Sequence, residues 1–204
     1  MTRCIFRAIA LVAICVTPAS AQSLRDRARV EGGIASNTAD FDTPALSVSE
    51  MVTLSDLIVE GTIAAVTTKL VEDDSMVATE YRLVPSAIFK LDASLNTASK
   101  PGLLPGIRIV SIGGTVTEGE YRYSTLNSSF PEKSAIKTGE HLIVFLKRHP
   151  DIDVYNFTAG PFAVFRVVDG YVRPFTEQVA AVRGDKLVDA SSFVRQLKQR
   201  VATK

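Results

Sequence analysis

Leu57-Ile58-Val59-Glu60-Gly61-Thr62-Ile63-Ala64-Ala65-Val66-Thr67-Thr68-Lys69-Leu70 reads as one long β-strand interrupted by a single glycine. Leu57, Val59, Ile63 and Ala65 share one side of a period-two pattern. Glu60, Thr62 and Thr68 share the other, although Ile58 and Val66 blur the alternation. Successive side chains of a strand point to opposite faces, so the first set can cover a core while the second meets water. The Thr and Val content favours pleated chain over helix. Gly61 within the apolar side predicts a bulge, or the tight bend by which a strand turns a barrel corner.

The next strand is predicted over Val77–Lys90, after the polar turn Glu72-Asp73-Asp74-Ser75. Tyr81, Leu83, Ala87 and Phe89 face one way, and Glu80, Arg82, Ser86 and Lys90 the other. The two strands are expected to pair as a hairpin, with an edge or bulge at Pro85, which cannot donate to a ladder. Upstream, Ser47-Val48-Ser49-Glu50 matches a capping box, in which the Ser hydroxyl and the Glu carboxylate satisfy each other's backbone N–H groups. A short helix from Val48 to about Leu54 follows.

Further strands are expected over Ile107–Ile112, His141–Lys147, Val154–Thr158 and Phe162–Val168. The run Leu142-Ile143-Val144-Phe145-Leu146 is apolar on both sides, which fits a strand covered on both faces. Asp169-Gly170 between Val167-Val168 and Tyr171-Val172 is the strongest short hairpin signal in the chain. Asp189 or Ser191 can cap a final helix whose apolar stripe is Phe193, Val194, Leu197 and Val201. Residues 92–106 read as a loop, and 115–138 have no regular pattern.

The chain has 204 residues, 46% hydrophobic and 22% charged, which is ordinary for a globular protein. Its first residues are not ordinary. Arg3 and Arg7 precede an apolar run from Ala8 to Val16, and Ala19-Ser20-Ala21 supplies a small-x-small cleavage pattern. That is the layout of a secretory signal peptide, and the run is short for a bilayer-spanning anchor. The expected organisation is a signal peptide over 1–21, a flexible leader over 22–46 and a single β-barrel domain with a C-terminal helix over 47–204. The expected location is periplasmic or extracellular.

Cys4 and Cys15 both lie in the signal segment, so the exported chain would carry no disulfide, no thiolate nucleophile and no Cys metal ligand. Removing Arg3 and Arg7 leaves 21 basic against 22 acidic residues, a net charge of −1. No Lys/Arg cluster suited to a phosphate backbone is visible, which argues against nucleic acid as a partner. No segment after the signal is long and apolar enough for a membrane helix.

No nucleophile elbow, phosphate loop or His-Glu-x-x-His is present. His149, Asp151 and Asp153 supply ligand types suited to a divalent cation, but Asp flanking Pro150 between two strands is also ordinary turn chemistry. Glu72, Asp73 and Asp74 could hold calcium or keep a hairpin tip solvated. Ser111, Ser124, Ser128 and Ser129 have no identifiable base partner. Tyr121, Tyr123 and Phe130, spread through an irregular stretch, are candidate contacts for a protein or small ligand, or else fold inward as a lid. No cofactor is implied.

The order of pieces carries a resemblance: a short helix, then Ser55-Asp56-Leu57-Ile58-Val59-Glu60-Gly61-Thr62-Ile63, then Ala87-Ile88-Phe89-Lys90, Gly113-Gly114, Gly139-Glu140-His141-Leu142-Ile143-Val144-Phe145-Leu146 and Gly160-Pro161-Phe162. It resembles a broad group of uncharacterised exported bacterial proteins, similar in pattern to the OB-type barrel of netrin-like and metalloproteinase-inhibitor domains. The resemblance spans roughly 47–174 and implies a mainly β fold, a small OB-like antiparallel barrel with a short N-terminal helix and a C-terminal helix. The inhibitors engage a catalytic metal through Cys-x-Cys at the mature N-terminus. This chain has no cysteine there, so no functional residue carries across.

The leading expectation is an exported, non-enzymatic binding or interaction module that works through loops beside the barrel. The alternatives are a metal-assisted hydrolase using the His149–Asp153 turn and a structural envelope component acting through the terminal helix.

Overall fold

A computed structural model describes residues 22–39, 45–91, 106–127, 135–175 and 187–203. The expected signal segment 1–21, the expected loop over 92–105 and the candidate contact Phe130 lie outside the described residues. Among those described, the chain is mainly β, and no helix is long and apolar enough to cross a membrane.

The quoted stretch is β2 (Leu57–Val71), and it pairs antiparallel with β3 (Met76–Leu91) along its length. The ladder shifts register between Ile58 and Val59, between Glu60 and Gly61, and between Ile63 and Ala65. At Gly61 the strands approach so closely that an added Cβ would stand 2.3 Å from the Val84 carbonyl oxygen and 2.7 Å from Leu83. The predicted irregularity is therefore real, and only a residue without a side chain fits it.

The last shift changes which face is which. Up to Ile63 the inward residues are odd-numbered: Leu57, Val59 and Ile63 are buried. Past the bulge the parity reverses, and Val66 packs on the same core while Ala65 is only half-buried. A bulge inserts one residue, and one residue flips every later side chain to the other face. The expected grouping of Ala65 with the core and Thr68 with solvent is thus corrected. β3 keeps its predicted alternation as far as Leu83, with Val77, Thr79, Tyr81 and Leu83 inward and Arg82 outward. The register shifts beyond Pro85 then reverse it, so the expected placing of Phe89 on the Tyr81 side is corrected: Phe89 packs on the opposite face, against the cluster of Ile58 and Phe145.

β3 pairs with β4 (Ile107–Ile112), and β2 pairs on its other side with β7 (His141–Arg148). β7 also pairs with β8 (Tyr155–Phe157), and β8 meets β4 in a single parallel bridge, Ile109 to Tyr155. The pairings β7–β2–β3–β4–β8–β7 therefore close a ring. β9 (Val164–Val168) and β10 (Tyr171–Pro174) extend the sheet from β7, as does β11 (Val188–Asp189). Asp169 and Gly170 take positive φ, as the predicted hairpin turn requires. The expected Phe162 strand start is corrected to Val164, because Gly160–Ala163 forms a 3-10 turn containing Pro161.

β7 is buried on both faces, as its apolar run implies. Leu142, Val144 and Leu146 enter the core inside the ring. Ile143 and Phe145 enter a second core outside it, under α2 (Val48–Leu54) and α3 (Ala190–Ala202). α2 starts with the predicted capping box, Ser47 Oγ accepting from Glu50 N–H and the Glu50 carboxylate accepting from Ser47 N–H at 2.8 Å. α3 is capped by Asp189 and buries Phe193 against Phe165, ring centroids 5.0 Å apart.

The expected flexible leader over 22–46 is corrected for its described part. Ser23 caps α1 (Leu24–Val30), and β1 (Ile34–Ala39) follows. β1 runs parallel to β6 (Tyr121–Asn127), which pairs antiparallel with β5 (Gly114–Glu118), giving a separate three-stranded sheet. Leu24, Ala28 and Ala35 are small or apolar residues that bury against Tyr123 and Val77. Their spacing is too short to show as a period in sequence, and the segment gains its order from that burial.

Candidate functional site

One concavity among the described residues follows from two local features. The bulge after Ile63 turns Thr68 inward, and Thr79 already sits on the inward side of β3, two residues from Tyr81. Both strands run past the apolar interior of the ring, so their ends carry hydroxyls where the middle carries Leu and Ile. The three-stranded sheet covers this end through Gly113 and Gly114. Gly114 has φ +129, and a Cβ there would stand 2.6 Å from Thr79 Oγ1 and 3.0 Å from Thr68. The backbone can come this close only because the residue has no side chain.

The result is a cavity of about 300 Å³ at the mouth of the ring. Val66, Tyr81, Ile112 and Ile136 supply its apolar wall, and Thr68, Thr79, Ser111 and Thr125 its hydroxyls. Among the described residues, no charged side chain lines it. Ligand pockets of this kind are mostly apolar, carry a few placed polar groups and often lie in the mouths of β-barrels.

Most of these hydroxyls are committed to the protein. Thr68 Oγ1 donates to the Thr115 carbonyl at 2.9 Å, and Thr79 Oγ1 donates to the Gly113 carbonyl at 2.6 Å. Thr125 Oγ1 accepts the Val77 N–H at 2.8 Å, which leaves its own proton uncommitted among the described residues. Burial pushes the Tyr81 phenol up to about 12, with the neighbouring Thr79 hydroxyl partly offsetting it and the Glu140 carboxylate adding to the effect. Tyr81 therefore stays neutral and keeps its proton.

The residues singled out from sequence lie elsewhere. Tyr123 is only 3% exposed and belongs to the small core under α1, so the expectation of an exposed contact is corrected for it. Tyr121 is half-buried against the same core. Phe130 lies outside the described residues. Arg25 stacks over the Tyr123 ring, 5.9 Å from its centroid, while pairing with Asp74 and Glu118. The Asp74 carboxylate is thus engaged by a guanidinium at the hairpin tip.

His149, Asp151 and Asp153 form a turn. His149 N–H donates to the Val154 carbonyl at 2.9 Å, and His149 Nδ1 accepts the Asp151 N–H at 3.3 Å. Asp153 points to Arg148, 3.5 Å away, and is 89% exposed. Among the described residues no group of three or more His, Cys, Asp or Glu side chains is arranged to hold a metal ion.

Sequence reading did not assign Thr68, Thr79 or Thr125 to a site, and it weighed Ser111 only as a nucleophile lacking a base. One signal was present: Thr79 is a polar residue on the apolar side of a clean alternation. Thr68 carried none, because its orientation depends on the bulge. No family model matches the chain, and no curated protein sequence matches it.

Proposed function

We propose that this chain is an exported, OB-like binding module that takes a small uncharged ligand into the cavity at the mouth of its ring. The observation that carries the reading is the cavity itself, formed among paired strands and lined, among the described residues, by apolar groups and hydroxyls with no charge. A buried ion would find no counter-charge there, and burying an unpaired ion is costly. A neutral molecule with one or two acceptor atoms meets apolar walls and the Thr125 hydroxyl proton.

The closed pairing order β2–β3–β4–β8–β7, with one parallel junction, supports an OB-type barrel. The layout of residues 1–21 supports export. The near-neutral charge argues against the oligonucleotides that some OB-folds bind. A fold does not dictate a ligand, so the cavity carries this reading.

The test is a screen of uncharged aromatic and cyclic fragments by NMR on the exported chain. Hits should shift the amides of Thr79, Ser111, Gly114 and Thr125, and Val66→Trp should abolish those shifts without unfolding the protein. Fragments that shift other surfaces equally, or none at all, would overturn the reading.

A further inference from the structure

We infer that the groove beside α3, on the outer face of the sheet, binds a small molecule that carries a phosphate and an ammonium group together, of the phosphoethanolamine type. Opposite residues of antiparallel strands point to the same face, so His141, Thr62 and Val84 form one outward rung across β7, β2 and β3. Ile143, Glu60 and Ala87 form the next. α3 covers Ile143, which packs with Phe193 and Leu197 in one buried cluster. It leaves the first rung bare, where Thr62 is exposed and Val84 is 51% exposed. Glu60 stands at the border. Between it and the helix lies an open groove of about 630 Å³, separate from the cavity at the mouth of the ring.

The helix wall is a single stripe. Ser191, Arg195, Lys198 and Gln199 recur at the spacing of three and four that places them on one face. Arg195 and Lys198 are exposed, and neither has an ion-pair or hydrogen-bond partner among the described residues. Cations three apart on a helix are neighbours and repel, and α3 has no Asp or Glu between Ala190 and Ala202 to relieve them. Across the groove, Glu60 Oε1 stands 3.0 Å from His141 Nε2, and the other carboxylate oxygen has no partner among the described residues. Glu60 forms no ion pair with Arg195 or Lys198, although the three line one groove. The ladder fixes one wall and burial of Leu197 the other, so opposite charges face each other across a gap.

A ligand that spans the gap is anionic at one end and cationic at the other. A plain anion would meet Glu60, and a plain cation would meet Arg195 and Lys198. Two cations against one carboxylate leave one positive charge in excess among the described lining residues. A phosphate monoester carries about −1.5 to −2 at neutral pH, so one that also bears an ammonium has a net charge of about −1 and matches that excess. Its three oxygens serve both cations, the Arg195 fork bidentately and the Lys198 ammonium as a point charge. Its ammonium donates to the free oxygen of Glu60.

Calorimetric titration and amide NMR on the exported chain test this, with phosphoethanolamine, inorganic phosphate and ethanolamine as separate probes. Phosphoethanolamine should give saturable shifts at Glu60, Ser191, Arg195 and Lys198, and should bind about tenfold or more tighter than either half. Lys198→Gln should weaken it by about tenfold. Glu60→Gln should weaken it by as much while leaving inorganic phosphate bound no more weakly, a split that a merely structural role would not give. Circular dichroism should be unchanged in both variants. Sedimentation with phosphatidylethanolamine vesicles separates the sources: retention lost in Lys198→Gln assigns a lipid headgroup, and binding of the free compound without retention assigns a soluble one. No saturable shift at these amides and no retention would overturn the inference. So would inorganic phosphate binding as tightly as phosphoethanolamine, or binding that survives Lys198→Gln and Glu60→Gln unchanged.

Discussion

Gly61 and Val84 meet across the β2–β3 ladder at a separation that no side chain fits, since a Cβ on Gly61 would stand 2.3 Å from the Val84 carbonyl oxygen. The obstacle is backbone, which cannot move aside as a flexible side chain can. Gly61→Ala should therefore push the two strands apart where the ring core is built. We expect a loss of about 1–3 kcal/mol in urea unfolding, the range for forced overpacking. A variant as stable as the wild type would show that the ladder yields there.

Tyr81 is the buried titratable group facing the cavity, raised from 10 to about 12 chiefly by burial. Between these values the unfolded chain loses the phenolic proton while the folded chain keeps it. Stability should therefore fall as pH rises above 10, and the fall should end near 12. Tyr81→Phe should remove this part of the decline. Unfolding midpoints of both proteins across that interval check the point.

Glu80 and Arg108 form a two-point ion pair on the outer face of β3 and β4, at 2.8 and 3.0 Å. The Arg108 hydrogen bonds hold the Glu80 carboxyl below its ordinary 4.5. A depressed carboxyl contributes stability above its unfolded pKa and loses it as pH falls through the folded one. Arg108 is 49% exposed, so the contribution at neutral pH should be below about 1 kcal/mol. Glu80→Gln should flatten stability against pH below 4.5 and change it little at pH 7.

Lys90 places its ammonium on the end of α2, donating to the carbonyls of Val52 at 2.9 Å and Ser55 at 2.6 Å. A cation at a helix C-terminus meets its unpaired carbonyls and the negative end of its dipole. Lys90→Met should cost about 1–2 kcal/mol in chemical denaturation. A loss confined to α2, seen as faster exchange of its amides at unchanged global stability, would place the effect in the helix alone.

Arg25 ties α1 to two hairpin tips through Asp74 and Glu118. Arg25→Met should loosen α1 and β1 while leaving the ring intact. Amide exchange should quicken over residues 24–39 by about tenfold, with little change in the main thermal transition.

The hairpin of β2 and β3, the capped helices α2 and α3, the turn at Asp169-Gly170 and the doubly buried β7 were legible because each is written in neighbouring residues. Ser47 and Glu50 are three apart, and the alternation of β3 repeats every second residue as far as Leu83. The candidate site was not legible. Thr68, Thr79, Ser111 and Thr125 come from four strands, and no local pattern joins residue 68 to residue 125. The tyrosines drew notice by type, but Tyr123 is covered by α1, a helix whose short apolar spacing left no trace in the pattern.

The sequence by itself determined which segments are extended, where they turn and which helices are capped, since short-range sterics and hydrogen bonds settle those choices. Tertiary structure alone decided which residues share the cavity and which share the groove beside α3. A bulge inverts every side chain beyond it, and a parallel pair such as β1 and β6 joins residues some ninety positions apart. Such pairings are set by which partner can satisfy the backbone and bury the apolar face, and that becomes defined only when the whole chain has closed.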